Sequence, residues 1–390
     1  MKKPSRENKK VCILTFHPAL DARVFYKEAR TLAKGGYEVV LIGDHKAESF
    51  IDGIKIIPFN KPKSRFKRVT KTAWQLFKIA LKQKADVYHF HDPELIPLCL
   101  ALKLLGKKVI YDMHEYYSEV LPMRTRIRIG RKFIRFATNI LLERIPFMFF
   151  DLIVFPTHSL EKEFGRPDKS LTVVNFPNID SIEDTSDGLK WEQRKFDIIH
   201  TGTISPPRME FMLNVARELS KIKDDFSWVF LGLSRNTINW TKGNCNEDFL
   251  ARHIVMIEKV PFLEALKYAK NSRIGFNYHP PEKRFLVAIP MKVFEYMIMS
   301  EAVVTTALPE LEKYLDGDVA VLVDSQDPAD YGKAIKSLFD NPLMASKMGA
   351  RARKTIMEKL NWEVSEAAKL LDAYHNLLGE NPKNDKKINC

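Results

Sequence analysis

Glycine is scarce in this 390-residue chain, 16 in all, and neither G-x-G-x-x-G nor G-x-x-x-x-G-K-[ST] occurs. The first absence argues against a nicotinamide dehydrogenase and the second against a P-loop ATPase, because both hold phosphates with those glycine-rich backbones. Cysteine is as sparse. Cys12, Cys99, Cys245 and Cys390 are scattered, and no pair has the spacing of metal ligands. That pattern fits a reducing compartment, with Cys12 a small buried hydrophobe in an apolar run. No apolar run approaches the ~20 residues of a membrane span; the richest, IPFMFFDLIVFP, is broken by Asp151 and bounded by Pro146 and Pro156. The run VCILTF behind the basic start is too short for a signal sequence. The expectation is a cytoplasmic protein with no transmembrane helix.

Positive charge is abundant, and it is uneven. The chain carries +13 at neutral pH; residues 1–180 hold 33 Lys and Arg against 19 Asp and Glu, or +14, and the remainder nets −1. Such segregation points to a negatively charged partner for the first half, whether an anionic membrane, a phosphorylated acceptor or nucleic acid. No nucleic-acid-binding module motif is present, so nucleic acid is not expected.

Short β-branched runs alternate with helical patterns, the signature of right-handed βαβ units and parallel sheets. Strand-like runs fall at 10–15, 38–42, 54–57, 86–90, 108–111 and 152–155, and a second series at 197–201, 227–231, 254–257, 273–276, 302–305 and 319–323. The helical pattern through Val24, Ala29, Leu32 and Ala33 stops at Gly35-Gly36. The polar, turn-rich segment 175–195 separates the two series. The organisation expected is α/β: a Rossmann-like domain over 1–180, a linker over 181–195, a second Rossmann-like domain over 196–361, a helix over 362–380 and a disordered tail over 381–390. Two such domains facing each other would put the loops at strand C-terminal ends around one cleft.

Candidate chemistry clusters at those strand ends. In IPMKVFEYMIMSEAVVTT, Pro290 suits the first turn of a helix, whose free amides and dipole can cradle a diphosphate. Glu295, a turn and a half in, can accept from a ribose hydroxyl pair or simply face solvent on an amphipathic helix. Arg208 follows the strand-end Gly202 and can bind phosphate bidentately, or be a surface arginine at a helix start. His114 ends the run KVIY through Asp112-Met113, either at the cleft or capping locally. His91 and Asp92 end the preceding strand, as acceptor ligands or as groups packed beneath the site. Asp21 and Arg23, in the first loop, either face an acceptor or cap the helix that follows. Asp316-Gly317-Asp318 has the D-x-D form of a metal motif but falls where a turn is needed, and is rejected as a metal site.

The ordered set LDARVFYKEARTLAKGGYEVVLI, DVYHFHDPELIPL, KKVIYDMHEYYSE, DLIVFPTHSLEKEF, VVNFPN, HTGTISPPRMEFMLNVARELS and P-x-K-V-F-E-Y-M followed by VVTT…PEL resembles glycosyltransferase family four. The resemblance spans roughly residues 11–378. It implies a GT-B fold of two facing Rossmann-like domains with a C-terminal crossover helix packing back on the first, an N-terminal acceptor domain and a C-terminal nucleotide-sugar donor domain. It implies a retaining, metal-independent transfer from a nucleotide diphosphate sugar to an acidic, lipid-linked or polysaccharide acceptor in cell-envelope synthesis, without a cofactor. It places His114 near the donor sugar, Glu295 on the ribose, and Gly202, Thr203, Arg208, Pro290 and Lys292 around the diphosphate.

Departures stand beside the match. The first of two glutamates usually eight apart is Val287 here, Thr203 and Met209 replace usual cations, and Ser300-Glu301 replaces a glycine. These keep open a catalytically inactive GT-B subunit or a nucleotide-sugar epimerase. Two basic stretches, 61–84 and 124–136, interleave apolar residues; Arg124, Arg126, Arg128 and Arg131 are candidates for peripheral contact with the inner face of the cell membrane.

Overall fold

The computed structural model describes residues 9–59, 72–123, 130–179 and 189–379. Arg124, Arg126, Arg128 and the tail 381–390 lie outside the described residues, and Arg131 is described in its backbone alone. The chain divides into two compact units, residues 1–181 with 362–390, and residues 182–361. Each is a largely parallel sheet flanked by helices.

In the first unit the strands are β1 (Lys10–Pro18), β2 (Glu38–Asp44), β3 (Ser49–Ile51), β4 (Ile54–Pro58), β5 (Val87–Phe90), β6 (Lys108–Asp112), β7 (Leu152–Phe155) and β8 (Ser170–Thr172), in sheet order β3-β4-β2-β1-β5-β6-β7-β8. Only β3 runs antiparallel to its neighbour. β1 lies at the centre, pairing Val11 with both Val39 and Val87, and Val11, Cys12, Ile13 and Leu14 are all fully buried. Burial on both faces explains why that strand reads as an unbroken apolar run rather than an alternation. The strand order reverses between β1 and β5, so the crevice for a ligand opens beyond their C-terminal ends.

The last helical segment belongs to this unit. A π turn (Trp362–Glu366) leads into the helix Ala367–Leu378. The buried Trp362 indole donates to Thr31 Oγ1 at 2.8 Å, its backbone N–H donates to Pro177 O, and Glu366 accepts from the Val174 N–H. Leu370 and Tyr374 complete the burial, joining the core cluster around β1 and β2.

The second unit has β9 (Phe196–Thr201), β10 (Trp228–Leu233), β11 (Ile254–Glu258), β12 (Ser272–Asn277), β13 (Ala302–Thr306) and β14 (Val321–Val323), ordered β11-β10-β9-β12-β13-β14. All pairs are parallel. Here the reversal falls between β9 and β12. The linker inferred from composition ends sooner than 195: Trp191–Gln193 form a helical turn, and the buried Arg194 donates to the carbonyls of Leu189, Ser272, Met299 and Ser300. A single arginine thus ties the entry strand to the far end of the helix Met291–Ile298.

Candidate active site

In the second unit the reversal point is built from β9 and β12. Gly202, directly after β9, has φ +93°, a conformation costly for any residue with a Cβ. Its close neighbour Gly232 has φ +94°, and a Cβ there would come within 3.2 Å of the Gly202 backbone. The loop is therefore pressed flat, and Lys292 Nζ sits 3.4 Å from where a Gly202 Cβ would stand. Thr201 N–H donates to Tyr296 Oη at 2.8 Å, so the same helix that carries Lys292 also anchors this loop. Pro290 is the N-cap of that helix, the position just outside its first turn, and no acidic residue occupies the turn. Glu295 follows Lys292 by three residues, on the same flank, and is half-buried.

Lys292 Nζ lies 3.1 Å from Nε2 of the fully buried His200, whose Nδ1 lies 2.9 Å from Phe276 O. A carbonyl only accepts, so Nδ1 carries the hydrogen and Nε2 accepts from the ammonium. Burial, then Lys292 and Arg208, hold His200 well below its usual pKa, and it stays neutral. Lys292 itself is pulled down to about 7, by burial and then by Arg208, with Glu295 opposing. Arg208 is lowered to about 10 by burial and by Arg284. Its NH2 donates to Tyr278 O, beyond β12, while its buried Nε has no hydrogen-bond partner. His279, its ring centroid 4.4 Å from that of Phe285 and tilted against it, is pushed down to about 2 by burial, Arg208, Lys292 and Arg284.

The pattern is one of cations depressing one another without a carboxylate strong enough to offset them. Such a site is completed by an anion, and a guanidinium, an ammonium and a helix N-terminus are the groups that hold phosphate. Sequence reading reached Arg208, Lys292, Pro290 and Glu295 by motif. It missed His200, His279 and Arg284, which carry no spacing signal and meet the others only through the sheet. Thr203 is exposed at the loop, Val287 is half-buried, and Met209 is fully buried in the core, so its side chain points away from the loop. Ser300, in the place of a glycine, has φ +56° and is held by Arg194. Asp316-Gly317-Asp318 is a surface turn, with the Asp318 N–H donating to Asp316 Oδ1 and the Asp318 carboxylate paired with Arg351.

In the first unit the ends of β1, β5 and β6 converge. Asp92 accepts from Thr15 Oγ1 and from Phe16 N–H, tying β5 to β1. Behind it lies a buried ionic cluster. Arg23 donates to Asp112 Oδ2 through Nε and NH2 and to Val173 O through NH1, and its Nε is 2.8 Å from Glu28 Oε1. Burial pushes the Asp112 carboxyl up, but Arg23, His114 and His91 outweigh it and hold Asp112 well below the usual range. Glu28 is raised well above its range by burial and by Asp112, against the opposing pull of Arg23. Burial likewise keeps His91 neutral, and lowers His89 to about 4. Glu28, His89, His91 and Asp112 have the composition of a metal-ligand set, with ligand atoms within 4.8 Å of one another. The cation among them is Arg23.

For Arg23, His91 and Asp92 the packed reading fits this arrangement better than the acceptor-facing one. All three are buried; Arg23 pairs with Asp112 and Asp92 closes β5 on β1, while His91 Nε2 has no hydrogen-bond partner. Asp21 caps locally, its Oδ1 accepting from the N–H groups of Arg23 and Val24. His114 alone of that histidine set keeps a partly open side chain, 20% exposed. Its Nε2 lies 3.0 Å from His91 Nδ1, and its ring stacks at 5.8 Å on His17.

Residues 22–175 match the family model for Glycosyltransferase Family 4, and residues 208–372 match that for Glycosyl transferase-like domains. Among solved structures, sucrose-phosphate synthase from Thermosynechococcus elongatus is similar over 95% of this chain and 99% of its own, with a TM-score of 0.71 at 11% identity. A glycosyltransferase from Rickettsia africae matches over 96% and 100%, TM-score 0.67, 16% identity. Anabaena HepE, solved in complex with UDP, matches over 95% and 99%, TM-score 0.63, 11% identity. At these identities the likeness is one of fold. No curated protein matches the chain in sequence.

The buried cluster makes a direct demand on stability. Arg23→Gln leaves Asp112 without its counter-charge and is expected to cost ~3–5 kcal/mol of unfolding free energy, read by denaturant titration of the full chain. An unfolding midpoint unchanged from the parent would return Arg23 to the surface groups available to a substrate.

Proposed function

Because this chain belongs to the glycosyltransferases of family four, with the GT-B fold, we propose that it moves a sugar from a nucleotide diphosphate donor to a lipid-linked or polysaccharide acceptor, with retention of configuration. The observation that carries the donor half is the pair Arg208 and Lys292, lowered to about 10 and about 7 by burial and by neighbouring cations that outweigh the nearby carboxylates. A diphosphate supplies the missing negative charge. Glu295, on the same helix flank, takes the ribose hydroxyls. UDP is the first nucleotide to test, since Anabaena HepE is solved with it.

In the transfer, the bond between the anomeric carbon and the diphosphate oxygen breaks while the acceptor oxygen bonds to that carbon from the same face. The acceptor's proton goes to the departing diphosphate oxygen, so no protein nucleophile is required. Arg208, Lys292 and the amides of the first turn at Pro290 stabilise the charge that develops on the leaving group. These fixed cations do the work a bound metal does elsewhere, and the reaction is metal-independent. By the family resemblance we assign His114, the partly open member of its cluster, to the sugar. The acidic partner belongs to the basic first unit, at the inner face of the cell membrane. Val287, where a glutamate would be, favours one other reading, a subunit that binds donor without turning it over.

Nucleotide release with and without acceptor separates the two readings: release that never rises above background with any acceptor supports the binding subunit. Transfer is expected to persist in chelator; activity restored only by Mg²⁺ or Mn²⁺ would overturn the metal-independent account. Glu295→Gln should fold normally and bind UDP roughly 10–100-fold more weakly, the loss of a hydrogen bond to a charged group. Unchanged affinity by calorimetry would remove Glu295 from the site.

Lys292 gives a pH signature. The free site holds it near pKa 7, and an adjoining diphosphate favours the charged form and raises that value. UDP binding at pH 8 should therefore take up a proton, affinity should fall as pH rises above 7, and below about pH 6 the uptake should vanish. Calorimetry in buffers of different ionisation enthalpy measures this directly. Equal apparent enthalpies at pH 8, or uptake undiminished in Lys292→Met, would contradict the assignment.

A further inference from the structure

Between β6 and β7 the chain runs through a helix (Arg131–Thr138), a π turn (Asn139–Arg144) and a short helix (Ile145–Phe149) without a break. Amphipathic helices normally turn their apolar residues to the core. This stretch buries Pro146 and Phe147 but leaves other large apolar side chains outward. Phe133 is 73% exposed, Phe136 64%, Leu141 54% and Met148 56%. Phe133 and Phe136 are three apart on one helix, hence on one flank, and exposed aromatic side chains so close together call for a covering partner.

The charges beside them are of one sign. Lys132, Arg135 and Arg144 are exposed. The only acidic residue from 130 to 150 is Glu143, which is buried and accepts from the Ser118 N–H and the Asn139 amide. Arg135 is the one cation of the three with a carboxylate partner given by the structure, Glu119 at 3.0 Å. A second copy of the chain would bring like charges together across the contact. Among the described residues no helix is long and apolar enough to cross a membrane, so the stretch has the form of a helix lying in an interface rather than spanning it.

We propose that residues 131–149 dock along an anionic lipid surface, with Phe133, Phe136, Leu141 and Met148 seated among the acyl chains and Lys132 and Arg144 at the headgroups. This deepens the membrane-peripheral part of the proposed function and rests on that part alone. Arg124, Arg126 and Arg128 precede the docking helix in sequence and Arg131 opens it, so the sequence adds charge of the same sign. Apolar insertion, rather than charge alone, determines how long the protein stays.

The test uses the full chain and flotation with vesicles of phosphatidylcholine alone, or of equal parts phosphatidylcholine and phosphatidylglycerol. The parent should float with the mixed vesicles and not with phosphatidylcholine, and added salt should weaken the binding. The double variant Phe133→Ser/Phe136→Ser should lose roughly tenfold or more in partitioning, with its circular dichroism and its UDP thermal shift unchanged. Lys132→Gln/Arg144→Gln should weaken binding to the mixed vesicles as well. Parental binding by the serine variant would overturn the inference, as would failure of the parent to float with mixed vesicles. Parental self-association abolished by the serine substitutions would also overturn it, giving the face to a second copy. A parent that floats as expected but shows no UDP shift would instead count against the donor assignment and leave this inference standing.

Discussion

Arg208 and Lys292 lie in a largely desolvated place where burial and neighbouring cations outweigh the opposing Glu282 and Glu295, and the second unit is arranged around that constraint. Each element near them serves to keep the two cations in position. His200 gives Lys292 a neutral acceptor because its other nitrogen is committed to Phe276 O. Tyr278 O takes a hydrogen bond from Arg208 without adding full charge. Gly202 and Gly232 let the backbone lie close enough for the ammonium to rest against it. A carboxylate in place of His200 would satisfy Lys292 internally and leave a weaker reason to bind phosphate.

The first unit meets the same problem with the opposite solution. Its buried arginine is met on the spot: Arg23 pairs with Asp112, whose carboxyl is held well below the usual range, while burial and Asp112 raise Glu28 well above it. The outcome is a cluster with no net demand for a ligand, from which only His114 reaches outward. One unit therefore stores unsatisfied charge at its strand ends, and the other uses matched charge to lock its strand ends. The reversal of strand order places both clusters at comparable points in their sheets.

Departures from the family's usual residues become intelligible at this level. Ser300 takes a backbone conformation that glycine adopts freely, and Arg194, donating to its carbonyl, compensates. Gly349 accommodates the resulting turn, since a Cβ there would fall 2.2 Å from Ser300 O. Met209 is a core residue, so its loss of charge leaves Arg208 as the cation opening that helix.

The strands that carry the two cores were legible in the sequence, because strands covered on both faces are written as β-branched runs whatever lies around them. β3 and β8 were not: each is three residues long and lies at a sheet edge, where pairing with a neighbour rather than local pattern makes the strand. The helix from Pro290 through Lys292 to Glu295, and Arg208 after Gly202, were legible too, since their spacing lies within one helix or one loop. Tertiary structure alone decided the surroundings of Arg23, His91 and Asp92, which loop and strand-end positions suggested for substrate: Arg23 is buried on Asp112, His91 beside His114, and Asp92 on Thr15 and Phe16. It also decided the roles of His200 and His279. Burial first, and then Lys292 and Arg208, hold both well below the usual histidine range, and those cations are distant in sequence and brought within range only by the order of β9, β12 and the following helix.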